Sequence, residues 1–201
     1  MGQYYNAVIE INGEKEVYYH QVDGEYMLAK LMEHSYWANP FVLAIASKLW
    51  RNKGRIAWVG DYADETDFNW NDAFKDAHTD IAKKDLEYNG FRLEGKLFIN
   101  HTKKMIIDLD EYKELLKDID MIINPIPLLT AVGNNKGGGD FHSGKGFDLV
   151  GTWAWDVIEI TEDKKFYDYK YNHNNRQWDK TLKNELSDYV DVTEDYLFIE
   201  D

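Results

Sequence analysis

The stretch QYYNAVIEINGEKEVYYHQV, residues 3–22, carries the first evidence for the fold class of this chain. Its two halves contain many β-branched and aromatic residues, which favour strands. They meet at Asn12-Gly13, a pair that tolerates positive φ angles and suits a two-residue type I′ turn. The sequence therefore predicts an antiparallel β-hairpin at the start of the chain.

Beyond this hairpin, four segments carry helical patterns. Met27, Leu28, Leu31 and Met32 recur at helical spacing between residues 26 and 37. The other three predicted helices are residues 40–50, with Asn39 as N-cap and Pro40 at the first helical position, residues 70–78, and residues 110–119, with Asp110 as N-cap.

Apolar and extended segments lie between these helices without a regular alternation. RIAWV, residues 55–59, has the pattern of a buried strand and runs into the acidic turn GDYADETD. Residues 93–100 and 104–110 are predicted to form a hairpin, and residues 148–160 a late strand. Residues 120–133 are predicted to be an edge strand or an extended segment, because Pro125 and Pro127 cannot donate hydrogen bonds to a neighbouring strand. This order predicts an α+β fold with a mainly antiparallel mixed sheet and a few packed helices.

A chain of 201 residues fits one globular domain, which we predict to cover residues 1–201. The acidic C-terminal part, residues 161–201, is interpreted as an extension that docks on this domain. It keeps an apolar rhythm in Tyr189, Val192, Tyr196, Leu197 and Ile199.

The composition narrows the function classes. The chain has no cysteine, so it has no disulfide, thiolate metal site or cysteine nucleophile, and we expect a cytoplasmic protein. No apolar stretch approaches the length of a membrane span. The net charge of −14 argues against general nucleic-acid binding, which needs clustered lysine and arginine. The acidity indicates either a solvated surface or a face that meets a basic partner.

The most unusual segment is GNNKGGGDFHSGKG, residues 133–146, with six glycines. Glycines 137–139 can bring backbone N–H groups close to an anion, so we predict a ligand-binding loop. The loop matches neither the P-loop nor the dinucleotide-binding fingerprint. The alternative is a turn cluster without a ligand. On the binding hypothesis, the three glycines serve the ligand, and their replacement by alanine leaves the fold intact.

Several polar residues are candidates for chemistry at this loop. Asp140 and His142 are two positions apart and project to the same side of an extended backbone. His34 and Asp61 complete a metal site or an acid–base pair only if the fold brings all four together. The spacing does not show this, and we predict no catalytic residue, no metal and no cofactor.

Aromatic residues near strand ends suggest how a planar ligand is held. Trp58, Tyr62, Trp153 and Trp155 flank glycines and aspartates, where a base can stack and a carboxylate can bind its edge. The alternative is that they are core residues. The predicted ligand-binding residues are Trp58, Asp61, Tyr62, Lys136, Gly137, Gly138, Gly139, Asp140, His142 and Trp153.

Five segments together resemble a family of bacterial and bacteriophage proteins that open with MGxYY. They are MGQYY (1–5), KLMEHSYWANPFV (30–42), WVGDYAD (58–64), INPIPLLTAVGNNKGGGD (123–140) and VGTWAWD (150–156). In that family the loop reads GNGRGGGDY, so Asn135, Lys136 and Phe141 differ here. Lysine keeps a cation but loses the bidentate fork of arginine. The resemblance implies a shared architecture, a shared site around the loop and a phage origin, but it names no reaction.

These observations lead to a functional hypothesis with two rivals. We expect a protein that binds a small, polar, nucleotide-derived ligand, as a phage anti-defence protein that sequesters a host immune signal in the host cytoplasm. The alternatives are a phosphodiesterase-like hydrolase acting on a similar ligand, and an acidic protein that inhibits a basic protein partner. We expect no nucleic-acid and no membrane partner, and a homo-oligomer is compatible with the sequence.

Overall fold

The N-terminal hairpin forms as predicted and lies at one edge of the main sheet. The computed structural model describes residues 2–18, 21–22, 25–26, 29–63, 90–133 and 137–200. Strand β1 (Tyr5–Ile11) pairs in antiparallel register with β2 (Glu14–Tyr18). Asn12 and Gly13 have φ angles of 54° and 81°, which confirms the tight turn.

Ten further strands follow the hairpin in the described residues. They are β3 (Gln21–Val22), β4 (Glu25–Tyr26), β5 (Gly54–Gly60), β6 (Lys96–Asn100), β7 (Met105–Asp108), β8 (Ala131–Val132), β9 (Val157–Glu162), β10 (Tyr167–Asn172), β11 (Gln177–Leu182) and β12 (Val190–Asp191). Strands β3 and β4 form a separate pair, as do β10 and β11.

Eight of the described strands form the main sheet. Its order is β12-β7-β6-β9-β5-β1-β2, and β8 pairs with β5 beside β9. The β5–β8 and β7–β12 pairs are parallel and the other pairs are antiparallel. The predicted mixed, mainly antiparallel sheet of a single α+β domain is therefore confirmed. The hairpin of β6 and β7 was also predicted correctly.

The described residues contain four α-helices: α1 (Leu31–His34), α2 (Pro40–Lys48), α3 (Leu109–Leu115) and α4 (Pro125–Leu129). Helix α2 begins as predicted, because the Asn39 side chain accepts hydrogen bonds from the N–H groups of Phe41 (2.8 Å) and Val42 (3.2 Å). The part of the chain that the structure describes also has three 3₁₀ turns: Phe147–Leu149, Asp163–Lys165 and Asn184–Leu186.

Two predicted helix and strand assignments were wrong in detail. Helix α3 is capped by Asp108 and not by Asp110, because Asp108 Oδ1 accepts from the N–H groups of Asp110 and Glu111, each at 3.0 Å. The segment with two prolines is helix α4 and not an edge strand. Pro125 and Pro127 lie in its first turn, where the backbone N–H has no helical acceptor, so proline costs no hydrogen bond there.

Other boundaries also differ from the sequence prediction. The helix predicted over residues 26–37 is restricted to α1, and residues 27–28 and the helix predicted over residues 70–78 lie outside the described residues. The late strand begins at Val157, not at residue 148. Gly151 and Trp155 have φ angles of 76° and 62°, so this part of the chain turns before it enters β9.

Val192, Leu197 and Phe198 of the C-terminal segment pack in the main hydrophobic core. Tyr189, Val192, Leu197 and Phe198 are buried. The β10–β11 hairpin lies outside the main sheet and exposes Tyr169, Tyr171 and Trp178. In the described part of the chain, no helix is long and apolar enough to cross a membrane.

Candidate functional site

Residues 2–5 lie between the end of β5 and the glycine-rich loop. The Asp61 N–H donates to the Tyr4 carbonyl (2.9 Å), and the Tyr4 N–H donates to Asp61 Oδ1 (3.1 Å). On the loop side, Gly2 forms a parallel β-bridge with Gly138. The N-terminal segment therefore connects two regions that the sequence placed in one ligand site.

Gln3 is the centre of this connection and is fully buried. In the amide orientation that satisfies its neighbours, its nitrogen donates to Tyr5 Oη (2.8 Å) and Asp140 Oδ2 (3.3 Å). Its oxygen accepts from the Tyr62 N–H (3.0 Å). We call Gln3, Tyr5, Asp61, Tyr62 and residues 137–140 the loop site.

The tyrosine of this network is held in its neutral form. Tyr5 is buried, and burial raises the pKa of its hydroxyl far above the ordinary value. The negative charges of Asp140 and, to a smaller extent, Asp61 raise this pKa further, because a phenolate would be repelled by them. The phenol is therefore an uncharged group at neutral pH.

Asp140 is the most informative residue of the loop site. Only 3% of it is exposed, and its Oδ2 accepts from the Gly137 N–H at 2.9 Å. Its Oδ1 is shielded from solvent and accepts no hydrogen bond from any residue that the structure describes. Buried carboxylate oxygens nearly always accept a hydrogen bond, so this atom offers a vacant acceptor.

The glycines of the loop have different surroundings. A Cβ atom on Gly137 would lie 2.3 Å from Gln3 Cβ, and one on Gly139 would lie 2.3 Å from Lys30 Cδ. Gly139 also has a φ angle of 94°. By contrast, a Cβ on Gly138 would meet nothing within 4 Å. The expectation that all three glycines serve only a ligand was wrong, because the fold itself requires Gly137 and Gly139.

Two of the predicted stacking residues are core residues in this structure. Trp58 and Trp153 are both 0% exposed. Trp58 Nε1 donates to His34 Nε2 at 2.5 Å, and Trp153 packs on Phe98 with ring centroids 5.0 Å apart. Trp58 and Trp153 are therefore core aromatics, which is the alternative that the sequence analysis left open.

The four residues considered for metal or acid–base chemistry occupy different environments. His34 is buried and accepts the Trp58 hydrogen bond through Nε2, whereas His142 and Asp61 are exposed. Among the described residues there is no group of three or more histidine, aspartate or glutamate side chains that could hold a metal ion. The structure thus gives no support to a metal site made of these four residues.

Few of the described side chains at the loop site are exposed. Tyr62 is 45% exposed, and its backbone is held by Gln3. Lys136 lies outside the described residues. Lys30, which the sequence did not single out, packs its stem where a Gly139 side chain would lie, and its Nζ is 3.4 Å from Glu33. Gln3 and Tyr5 were missed because nothing in a hairpin pattern marks them as polar partners of a loop over 130 residues away.

Comparison with known proteins assigns neither a family nor a function to this chain. No protein-family model, curated protein or solved structure matches the chain. The family resemblance based on MGQYY, WVGDYAD and the glycine-rich loop therefore stays a prediction.

Proposed function

We propose that the protein binds a small, polar, nucleotide-derived ligand at the loop site. The observation that carries this proposal is the buried Asp140 carboxylate, whose Oδ1 accepts no hydrogen bond from the described residues. Leaving such an acceptor unpaired costs about 1–3 kcal/mol, which a ligand N–H or O–H recovers when the loop opens to admit it, since Oδ1 is shielded from solvent. Nucleobases carry amino and imino donors on one planar edge, and a carboxylate accepts from them.

Tyr62 is the residue proposed to stack on the base. It is 45% exposed, and the hydrogen bond from its N–H to Gln3 fixes the backbone beside Asp140. Gln3 thus links the backbone of Tyr62 to the Asp140 carboxylate, and the partly exposed ring of Tyr62 offers a flat apolar surface to a base. The sequence suggested Tyr62, Trp58 and Trp153 for stacking, and the burial of the two tryptophans leaves Tyr62 for this role.

Lysine side chains are proposed to neutralise the ligand's phosphate groups. Asp61 and Asp140 alone would repel an anion, so a cation must accompany them. Lys30 packs against Gly139, and a third of its side chain is exposed. Its flexible ammonium group can leave Glu33, since exposed ion pairs contribute only about 0–1 kcal/mol.

The proposed biological role is sequestration of a host immune signal without turnover. This role depends on the resemblance to bacteriophage proteins and on the absence of a recognisable catalytic motif in the sequence. A binder that does not consume the signal must bind tightly, and a nanomolar Kd corresponds to about −12 kcal/mol. Stacking, the Asp140 hydrogen bond and phosphate contacts must then act together.

Titration calorimetry against cyclic dinucleotides and ADP-ribose-derived signals tests the proposal. We expect Tyr62→Ala to weaken binding by about 1 kcal/mol, or roughly fivefold, which is the lower end of the range for base stacking because the ring is partly exposed. Tyr171→Ala is the matched control, because Tyr171 is similarly exposed, at 37%, but lies on the β10–β11 hairpin. Equal affinities of the two variants would contradict the assignment of Tyr62.

A second variant tests the acceptor itself. Asp140→Asn keeps the side-chain volume and one oxygen for the Gly137 N–H, but replaces the vacant acceptor by a donor. We expect at least about tenfold weaker binding, because a donor then faces the ligand's donor. The melting temperature of the same sample separates lost binding from lost folding. Recovery of a cleaved ligand after denaturation would favour the hydrolase, and no binding to any compound would overturn the proposal.

A further inference from the structure

A shallow groove lies outside the loop site, after helix α3. It has a volume of about 400 Å³ and is lined by Asp118, Ile119, Asp120, Met121, Ile123 and Glu200. We call it the acidic groove. None of its residues belongs to the loop site or to the residues that the sequence suggested for ligand binding.

The acidic groove has an apolar surface that faces solvent. Ile119 is 38% exposed and Met121 is 51% exposed. Leu115, at the end of α3 and outside the groove lining, is also 45% exposed. Tyr36 is 38% exposed and forms a β-bridge with Ile123 of the groove lining. Large apolar side chains concentrated in this way mark an interaction surface more often than a solvated one.

The charged side chains around this apolar surface are the carboxylates of Asp118, Asp120 and Glu200. The two lysines nearest in sequence, Lys117 and Lys113, lie beside Glu114 (2.6 Å) and Glu94 (3.4 Å) in this structure and beside none of the three rim carboxylates. Within the described ranges, no lysine, arginine or histidine forms an ion pair with Asp118, Asp120 or Glu200. The carboxylates are therefore available to a cation from another molecule.

We propose that the acidic groove docks a segment of a partner protein in which lysine or arginine alternates with large apolar side chains. Apolar side chains of such a segment fill the space between Ile119 and Met121, and its cations pair with the carboxylates of the rim. Lysine and arginine also suit the site because their methylene stems can cover apolar surface while the charge stays in water.

The same chemistry argues against other occupants. Three carboxylates repel a nucleic-acid backbone or another anion. The described residues contain no group of three side chains arranged to hold a metal ion. A second copy of this chain is a poorer fit, because two molecules of net charge −14 repel each other. A basic, apolar segment satisfies both the exposed side chains and the charge.

Fluorescence anisotropy with a labelled peptide of alternating arginine, leucine, lysine and leucine tests the docking. We expect the double variant Asp118→Asn with Asp120→Asn to bind this peptide at least about tenfold more weakly at physiological ionic strength, because two rim charges are lost. We expect Met121→Ser to weaken binding by at least about fivefold with an unchanged salt dependence, because it removes an apolar contact only. Met121 is half exposed, so this change spares the fold.

The control must remove the same charge from another surface. Asp168→Asn with Asp179→Asn does so on the β10–β11 hairpin, where both residues are exposed. We expect less than about a twofold change, since distant exposed charges are largely screened. Equal weakening by both double variants, or undiminished binding to Met121→Ser, would overturn the proposal. A dimer that Met121→Ser dissociates would assign the groove to a second copy instead.

Tyr62→Ala, which tests the loop site, should leave peptide binding unchanged.

Discussion

Replacement of Trp153 by alanine is expected to lower the free energy of unfolding by about 3–5 kcal/mol. The side chain is fully buried and packs on Phe98 and Tyr196, with ring centroids 5.0 and 5.7 Å away. Its removal therefore leaves a cavity between parts of the chain that are far apart in sequence. Trp58→Ala should have a similar effect, because it also removes the donor to His34 Nε2.

Thermal unfolding followed by circular dichroism measures this loss. For a chain of this size, about 1 kcal/mol corresponds to a shift of roughly 2–4 °C in the melting temperature. Trp178→Ala is the matched control, because Trp178 is 67% exposed and its removal should change stability by less than about 0.5 kcal/mol. If Trp153→Ala melted at the temperature of Trp178→Ala, Trp153 would not be a core residue.

The second large effect is expected from a single methyl group in the glycine-rich loop. Gly137→Ala should cost about 3 kcal/mol, near the upper end of the range for overpacking a buried site. Its Cβ would lie 2.3 Å from Gln3 Cβ and 2.7 Å from the Gln3 backbone nitrogen. Backbone atoms cannot move aside like the end of a side chain, so the contact between residues 2–5 and the loop must open.

The neighbouring glycine provides the control for this prediction. A Cβ on Gly138 would meet nothing within 4 Å, so Gly138→Ala should melt within about 2 °C of the unmodified protein. Similar melting temperatures for the two variants would show that residues 2–5 do not pack on the loop. Ligand titration of the same two variants shows whether binding depends on the loop conformation. Only Gly137→Ala is expected to change that conformation.

The parts of the fold that the sequence predicted are those with a local cause. Asn12-Gly13 forms its turn and Asn39 caps its helix because both depend on residues adjacent in sequence. The predicted secondary structure was wrong where it depends on contacts with distant residues or where the local sequence fits two conformations. Pro125 and Pro127 fit an edge strand and a first helical turn equally well, and the packing of α4 decides between them.

The site shows the same division between local and distant causes. The glycine-rich loop and Asp140 stand out from composition alone. Whether a tryptophan is buried or exposed depends on what packs over it, so Trp58 and Trp153 could not be distinguished from stacking residues. Gln3 lies in the site because the start of β1 pairs with the end of β5. This pairing follows from the order of strands in the sheet, and no single sequence motif indicates it.

The position of β9 has a consequence for how fast the chain folds. This strand, residues 157–162, lies between β5 and β6, which precede it by about 60 to 100 residues. During synthesis, the N-terminal hairpin with β5 and the β6–β7 hairpin emerge as two fragments with open edges, and β9 joins them late. Such nonlocal pairing favours folding over milliseconds to seconds rather than microseconds. Until β9 arrives, both open edges can pair with another chain, so expression at low temperature should raise the yield of the folded protein.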